Sequence, residues 1–285
     1  DSTVVPCSSD GGRGVSGSTG TTAIDALFER TRAENRAALV GYLPAGFPTK
    51  DQSIRAIQAM VEGGVDLVEI GLPYSDPVMG GPVIQAAAET ALAAGSRTAD
   101  VFDVVAATAA TGVPTVVMTY WNPVERHGVE QFAADLAAAG GSGLITPDLI
   151  PDEAGEWIDA SQTHHLDRVF LVAPSSTDER LAMTVEAASG FVYATAVMGV
   201  TGAREQTSSL GEQLVARVRA VSDKPVGVGL GVSNGTQAHE IAAYADAVIV
   251  GSALVRCLLD APDEAAGIDA IRALAQDLRA GVERN

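Results

Sequence analysis

The chain has 285 residues, 47% of them hydrophobic and only 5% aromatic, which excludes a disordered chain and a disulfide scaffold and implies an aliphatic core. Acidic residues outnumber basic ones 36 to 18, and the resulting formal charge of −18 argues against nucleic acid and anionic membrane as partners. Cys7 and Cys257 offer no disulfide framework and no metal spacing, no apolar run reaches the ~18 residues that span a bilayer, and no basic segment leads into an apolar one; the expectation is a cytoplasmic chain without a signal peptide.

Residues 1–21 are rich in Ser, Gly and Thr without periodicity and are expected to form a flexible tail. Ile24, Leu27, Phe28 and Thr31 then recur at helical spacing, which predicts a short capping helix before the first strand. From Ala38 onward, short β-rich runs follow at 38–42, 65–70, 114–119, 143–146, 168–172, 192–195, 225–229 and 247–250. Helical patterns separate them at 51–62, 82–94, 130–139, 153–163, 177–188, 210–221 and 236–244, with an extra helical stretch at 98–110. Pro82 suits a first helical position, where its missing N–H is not needed, and Gly95 suits the turn after the Ala-rich run. Strands alternating with helices mean βαβ units and a parallel sheet. Eight such units predict closure into a single (β/α)8 TIM barrel with an N-terminal extra helix, one domain over residues 22–285.

In such a barrel, chemistry belongs to the C-terminal ends of the strands. The second junction reads Glu69-Ile70-Gly71-Leu72-Pro73-Tyr74-Ser75-Asp76-Pro77-Val78-Met79-Gly80-Gly81-Pro82. Side-chain alternation puts Glu69 on a strand face with Val65 and Leu67. A carboxyl on that apolar face is partly desolvated, which raises its pKa and suits it to acid/base work near neutral pH; the plainer alternative is a salt-bridged strand-end glutamate. Asp148, after the fourth strand, is the other carboxylate at a strand end.

Three other junctions have the makings of a phosphate cradle: Met198-Gly199-Val200-Thr201-Gly202, Gly227-Val228-Gly229-Leu230-Gly231-Val232-Ser233, and Gly251-Ser252-Ala253 running straight into a helix. Backbone N–H groups and a helix dipole hold an anion without any Lys, which suits so acidic a chain. The plainer alternative is that these glycines only make turns. The glycine run is not a dinucleotide fingerprint, because Val232 or Asn234 stands where that pattern needs its third Gly. His164 and His165 are read as adjacent on a helix with no third ligand in range, so no metal is expected.

Several of these segments resemble the α subunits of tryptophan synthase. The resemblance runs through Ala45-Gly46-Phe47-Pro48, Glu69 to Pro82, Met118-Thr119-Tyr120-Trp121-Asn122-Pro123, Gly199-Val200-Thr201-Gly202, Gly229-Leu230-Gly231-Val232-Ser233 and Gly251-Ser252-Ala253. It covers roughly residue 22 onward, and Gly-x-Pro-Tyr-Ser-Asp-Pro is its most specific part. It implies a lyase that splits indole-3-glycerol phosphate into indole and glyceraldehyde 3-phosphate. Glu69 then corresponds to the family's acid/base glutamate, and Tyr193 to the tyrosine beside it. Gly202, Gly231, Gly251 and Ser252 correspond to the phosphate-binding backbone, and Tyr42, Met118, Tyr120 and Ile145 to the indole pocket wall. Thr201 corresponds to the closing-loop threonine, and Asp76 and Asp148 to the surface that signals to the β subunit. The implied assembly is an α2β2 heterotetramer whose β subunit holds pyridoxal phosphate, with no cofactor in this chain.

One position departs from the family. Gly80 stands where the family carries a catalytic aspartate, which stabilises the positive charge that develops on the indole ring. Losing such a preorganised group typically costs about 3–4 kcal/mol, or roughly 10²–10³ in rate. The expectation is a slow cleavage step and a freer loop, or alternatively a chain serving mainly to bind and activate its β partner.

Overall fold

The computed structural model describes residues 20–75, 81–195 and 204–284, with the backbone alone for 204–208. Its strands are β1 (Ala38–Pro44), β2 (Leu67–Gly71), β3 (Thr115–Met118), β4 (Gly143–Ile145), β5 (Asp167–Val169), β6 (Leu171–Val172), β7 (Val192–Thr195), β8 (Val226–Gly229) and β9 (Ala247–Val250). All pair in parallel, in the order β5-β4-β3-β2-β1-β9-β8-β7-β6. The two ends of that order are one stretch of chain, because only Phe170 separates β5 from β6. The Phe170 carbonyl itself accepts the Tyr193 N–H at 3.1 Å. The sheet therefore closes, and the molecule is a (β/α)8 TIM barrel. The run expected as one strand at 168–172 is split because its first half pairs with β4 and its second half with β7.

Side-chain alternation sorts the aliphatic residues into two cores. One lies between the sheet and its helices and holds most of the Leu, Val and Ala. The other fills the barrel interior: Ala38, Val40, Leu67, Val116, Ile145, Val169, Phe191, Ala247 and Ile249. The N-terminal helix Ala23–Ala33 plugs the floor of this interior with Ile24, Leu27 and Phe28, and the Phe28 and Phe191 rings lie 5.9 Å apart. Thr22 and Asp25 start that helix with a reciprocal capping box.

Beneath β1 and β2, Arg36 makes a bidentate pair with Asp66 at 2.6 and 2.8 Å, and Asp66 also accepts the Leu39 N–H at 2.8 Å. Both charged side chains are buried.

Several expectations need correction. Val65 does not share a face with Glu69: β2 starts only at Leu67, and Val65 packs in the outer core from the preceding turn. His164 and His165 are not within a helix. His164 caps the end of Gly155–Thr163, His165 takes a left-handed φ of 56°, and His164 Nε2 pairs with Glu130 at 2.6 Å. The expected helix at 153–163 is a 3-10 turn, Pro151–Glu153, followed by the helix proper. Helices Trp121–His127 and Glu264–Gly281 add to the elements that the sequence periodicity predicts. Among the described residues no helix is long and apolar enough to cross a membrane, and no three His, Cys, Asp or Glu side chains are grouped to hold a metal.

Candidate functional site

Because every strand runs the same way, the C-terminal ends of β1, β2, β8 and β9 share one rim, with β1 and β9 between β2 and β8. Glu69 therefore lies on the same rim as Gly231, Gly251 and Ser252. Register sets Tyr42 directly beside Glu69 on the next strand, and Met118 beside Ile145. Tyr193 faces the same interior from β7.

Glu69 is the chemically unusual group. It is 1% exposed, and its Oε2 has no hydrogen-bond partner among the described residues. Burial alone pushes its carboxyl up to about 8, since an unpaired carboxylate is poorly solvated there. The outcome agrees with the expected desolvation, and among the described residues Glu69 has no ion-pair partner, against the salt-bridged alternative. The phenols of Tyr42 and Tyr193 are both raised well above their usual range, first by burial and then by the Glu69 carboxylate. They stay protonated at neutral pH and present O–H groups toward the interior.

Both tyrosines lean over glycine. A methyl group on Gly71 would overlap the Tyr42 hydroxyl, and one on Gly229 would sit 2.8 Å from the Tyr193 hydroxyl. Those two glycines are required by close approach of a ring. Tyr42 also packs against Gly251, where an added Cβ would lie 3.6 Å from the Tyr42 Cβ. Its ring thus bridges the acidic strand and the glycine-bearing end of β9.

At that end, Gly251 precedes helix Ser252–Leu259 and no side chain caps it, so the first-turn N–H groups point out from the rim. Gly231 turns with a φ of +67°, a conformation that disfavours any side chain. Gly231, Ser233 and Ser252 share the wall of a cavity of about 700 Å³. An anion at this place would meet amide donors and the positive end of a helix.

The remaining candidates divide. Tyr120 stacks at 5.4 Å on Tyr74, whose hydroxyl accepts a hydrogen bond from Asn122 Nδ2 at 3.2 Å. Tyr74 was not singled out, although it sits inside the most specific motif; an aromatic residue at a strand mouth was the available signal. Asp148 is exposed and accepts the Trp121 N–H with both oxygens, at 2.9 and 3.2 Å. It anchors the start of helix Trp121–His127 from a different loop. Asp76, Gly80, Thr201 and Gly202 lie outside the described residues, as do most of the loop 73–80 and residues 200–203.

The sequence profile of the family described as "Tryptophan synthase alpha chain" matches residues 28–283. The chain is 65% identical to the tryptophan synthase alpha chain of Salinispora arenicola over 91% of its own length and 97% of that protein. It is 62% identical to that of Acidothermus cellulolyticus, over 92% and 98% of the two chains. Among solved structures, Mycobacterium tuberculosis tryptophan synthase superposes with a TM-score of 0.87 at 57% identity, covering 93% of this chain and 100% of the other. The alpha subunit from Legionella pneumophila str. Paris superposes at 0.84 with 31% identity, covering 92% and 99%. Sequence and fold agree with these relatives: the chain belongs to the tryptophan synthase alpha chain family.

Proposed function

We propose that the chain performs the lyase half-reaction of tryptophan synthase, the retro-aldol cleavage of indole-3-glycerol phosphate to indole and glyceraldehyde 3-phosphate. The observation that carries this reading is the buried Glu69 carboxyl, whose Oε2 has no hydrogen-bond partner among the described residues, held at about 8 on the rim that also bears Gly231 and Ser252. Near pH 7 such a group is mostly a neutral acid. It donates its proton to indole C3. The resulting carboxylate then accepts the proton of the hydroxyl on the carbon bonded to C3. The C3–carbon bond breaks as that carbon becomes the aldehyde, and the bonding pair returns to the ring. No net proton is gained or lost. Tyr193 and Tyr42 supply phenol O–H groups beside the carboxyl. The amides around Gly231, Gly251 and Ser252, together with that of Gly202, hold the phosphate. Tyr42, Met118, Tyr120 and Ile145 wall the indole ring.

C3 protonation makes the ring cationic, and the family's aspartate that meets this charge is replaced by Gly80. We place the resulting loss at roughly 10²–10³ in the cleavage rate. The chain works beside a β subunit in an α2β2 assembly in the cytoplasm, with pyridoxal phosphate confined to β; Asp76 and Asp148 serve the signalling to that partner, and Thr201 serves loop closure. The Gly80 substitution also favours a second reading, in which the chain chiefly docks on β and activates it. Single-turnover indole release by the chain, measured beside Gly80→Asp, decides how far the chemistry is impaired: a much faster variant is expected, and equal rates would refute the impairment. Titration into β, following serine-plus-indole turnover, separates the readings, since activation without cleavage favours the docking role.

A further inference from the structure

The cavity that begins at Gly231 and Ser252 runs outward between helices Ser252–Leu259 and Glu264–Gly281. Arg256 is the one basic side chain among its described lining residues. It lies four residues after Ser252, so it follows Ser252 on the same helix face, one turn further from the amides. It is exposed, and among the described residues it has no carboxylate partner, although Asp260 lines the same cavity one turn beyond.

Arginines elsewhere in this acid-rich chain commonly find carboxylates. Arg55 meets Glu264 at 2.5 Å, Arg217 meets Asp178 at 2.8 Å and Arg272 meets Glu62 at 2.9 Å. Arg32, Arg97, Arg126, Arg168 and Arg284 likewise meet no carboxylate among the described residues, but none of them lines this cavity. An unpaired guanidinium beside a set of outward amides has the chemistry of an anion clamp. It also answers a difficulty posed by the chain's charge. With a formal net charge of −18, the molecule repels a phosphate dianion at long range, and a helix dipole falls off within one turn. A cation one turn from Ser252 offsets that repulsion where the anion must enter.

We infer that Arg256 is a positioning residue for the substrate's phosphate, drawing the dianion to the Gly231 and Ser252 amides and holding it there from the solvent side. The inference rests on the phosphate role proposed for those amides. It assigns Arg256 to an ester of phosphoric acid with a three-carbon chain, not to the indole ring.

Binding of glycerol 3-phosphate to the intact chain by isothermal titration calorimetry tests it, with Arg256→Gln and Arg256→Lys as variants, each at low and at raised salt. Arg256→Gln is expected to weaken binding about tenfold and to flatten its salt dependence. Arg256→Lys should keep the salt dependence but lose part of the affinity, because an ammonium cannot make the planar two-point contact. Unchanged affinity and unchanged salt dependence in Arg256→Gln would overturn the inference and leave the cradle standing. Failure of the parent chain to bind glycerol 3-phosphate at all would remove the cradle and the inference together. The side chain is exposed, so the variants should fold, and matching thermal midpoints verify that.

Discussion

A carboxyl held near 8 inside a barrel carries a thermodynamic signature that needs no substrate. The ordinary value for Glu69 is 4.5, and burial alone raises it. Its folded pKa lies above its unfolded one, so the fold prefers the protonated form. The contribution of the neutral acid is intact below about 4.5 and is lost as pH climbs through about 8, because the unfolded chain ionises first. Glu69→Gln keeps the shape and removes the titration. We predict that this variant is more stable than the parent by roughly 3–5 kcal/mol at about pH 9, and within about 1 kcal/mol of it at about pH 5. Urea denaturation at the two pH values measures this. A stability difference independent of pH would mean that Glu69 titrates like a surface carboxyl. The same substitution should abolish indole release, so one variant separates a residue kept for chemistry from one kept for stability.

Among the elements, the ends of the strands have different duties. Under the barrel, Arg36 and Asp66 tie the start of β1 to the start of β2, with Arg30 a further 3.6 Å contact to Asp66. Arg36→Ala would leave Asp66 as a buried carboxylate with little compensation, and breaking such a pair from one side costs about 3–5 kcal/mol. A fall of that size in unfolding free energy, with unaltered glycerol 3-phosphate binding, is the expected result; weakened binding would show that the lower end reaches the site. Elements were legible in the sequence where a local signal existed. Apolar runs of strand length, the Thr22 start and the Pro82 position all point to what forms. Helix Trp121–His127 was hidden, because Asn122-Pro123 suggests a break, yet a proline in the first turn of a helix is harmless. The anchor of that helix, Asp148, comes from a loop 27 residues away, and no local pattern announces it. Glu69 was legible as a carboxyl in an apolar strand, but its true neighbours were not. Tyr42 lies beside it only through the β1–β2 register, and Gly71 is needed only because Tyr42 leans over it.

Across the whole molecule, the two ends of the barrel are joined by one interior column of side chains. The column starts with Ile24, Leu27 and Phe28 on the plug helix. It rises through Phe191, Val40 and Leu67, and ends at Tyr193 and Glu69, with Val116 beside Glu69 on β3. Dry packing along it sets the poor solvation that raises the Glu69 carboxyl, so the floor and the site are connected in principle. The layers argue that the connection is weak. Leu67, two residues before Glu69 on β2, and Val40 beside it on β1 are fully buried one layer below Glu69 and close the space under it whatever happens at the floor. Phe28→Ala tests this division. Removing a ring that is 4% exposed should destabilise the fold by about 3–5 kcal/mol. The Glu69 carboxyl should nevertheless stay at about 8, read from the pH dependence of cleavage or from a carboxyl-sensitive infrared titration. A fall toward 4.5 would mean that water entering at the floor reaches the acid, and that the plug helix tunes the chemistry from the far end of the barrel.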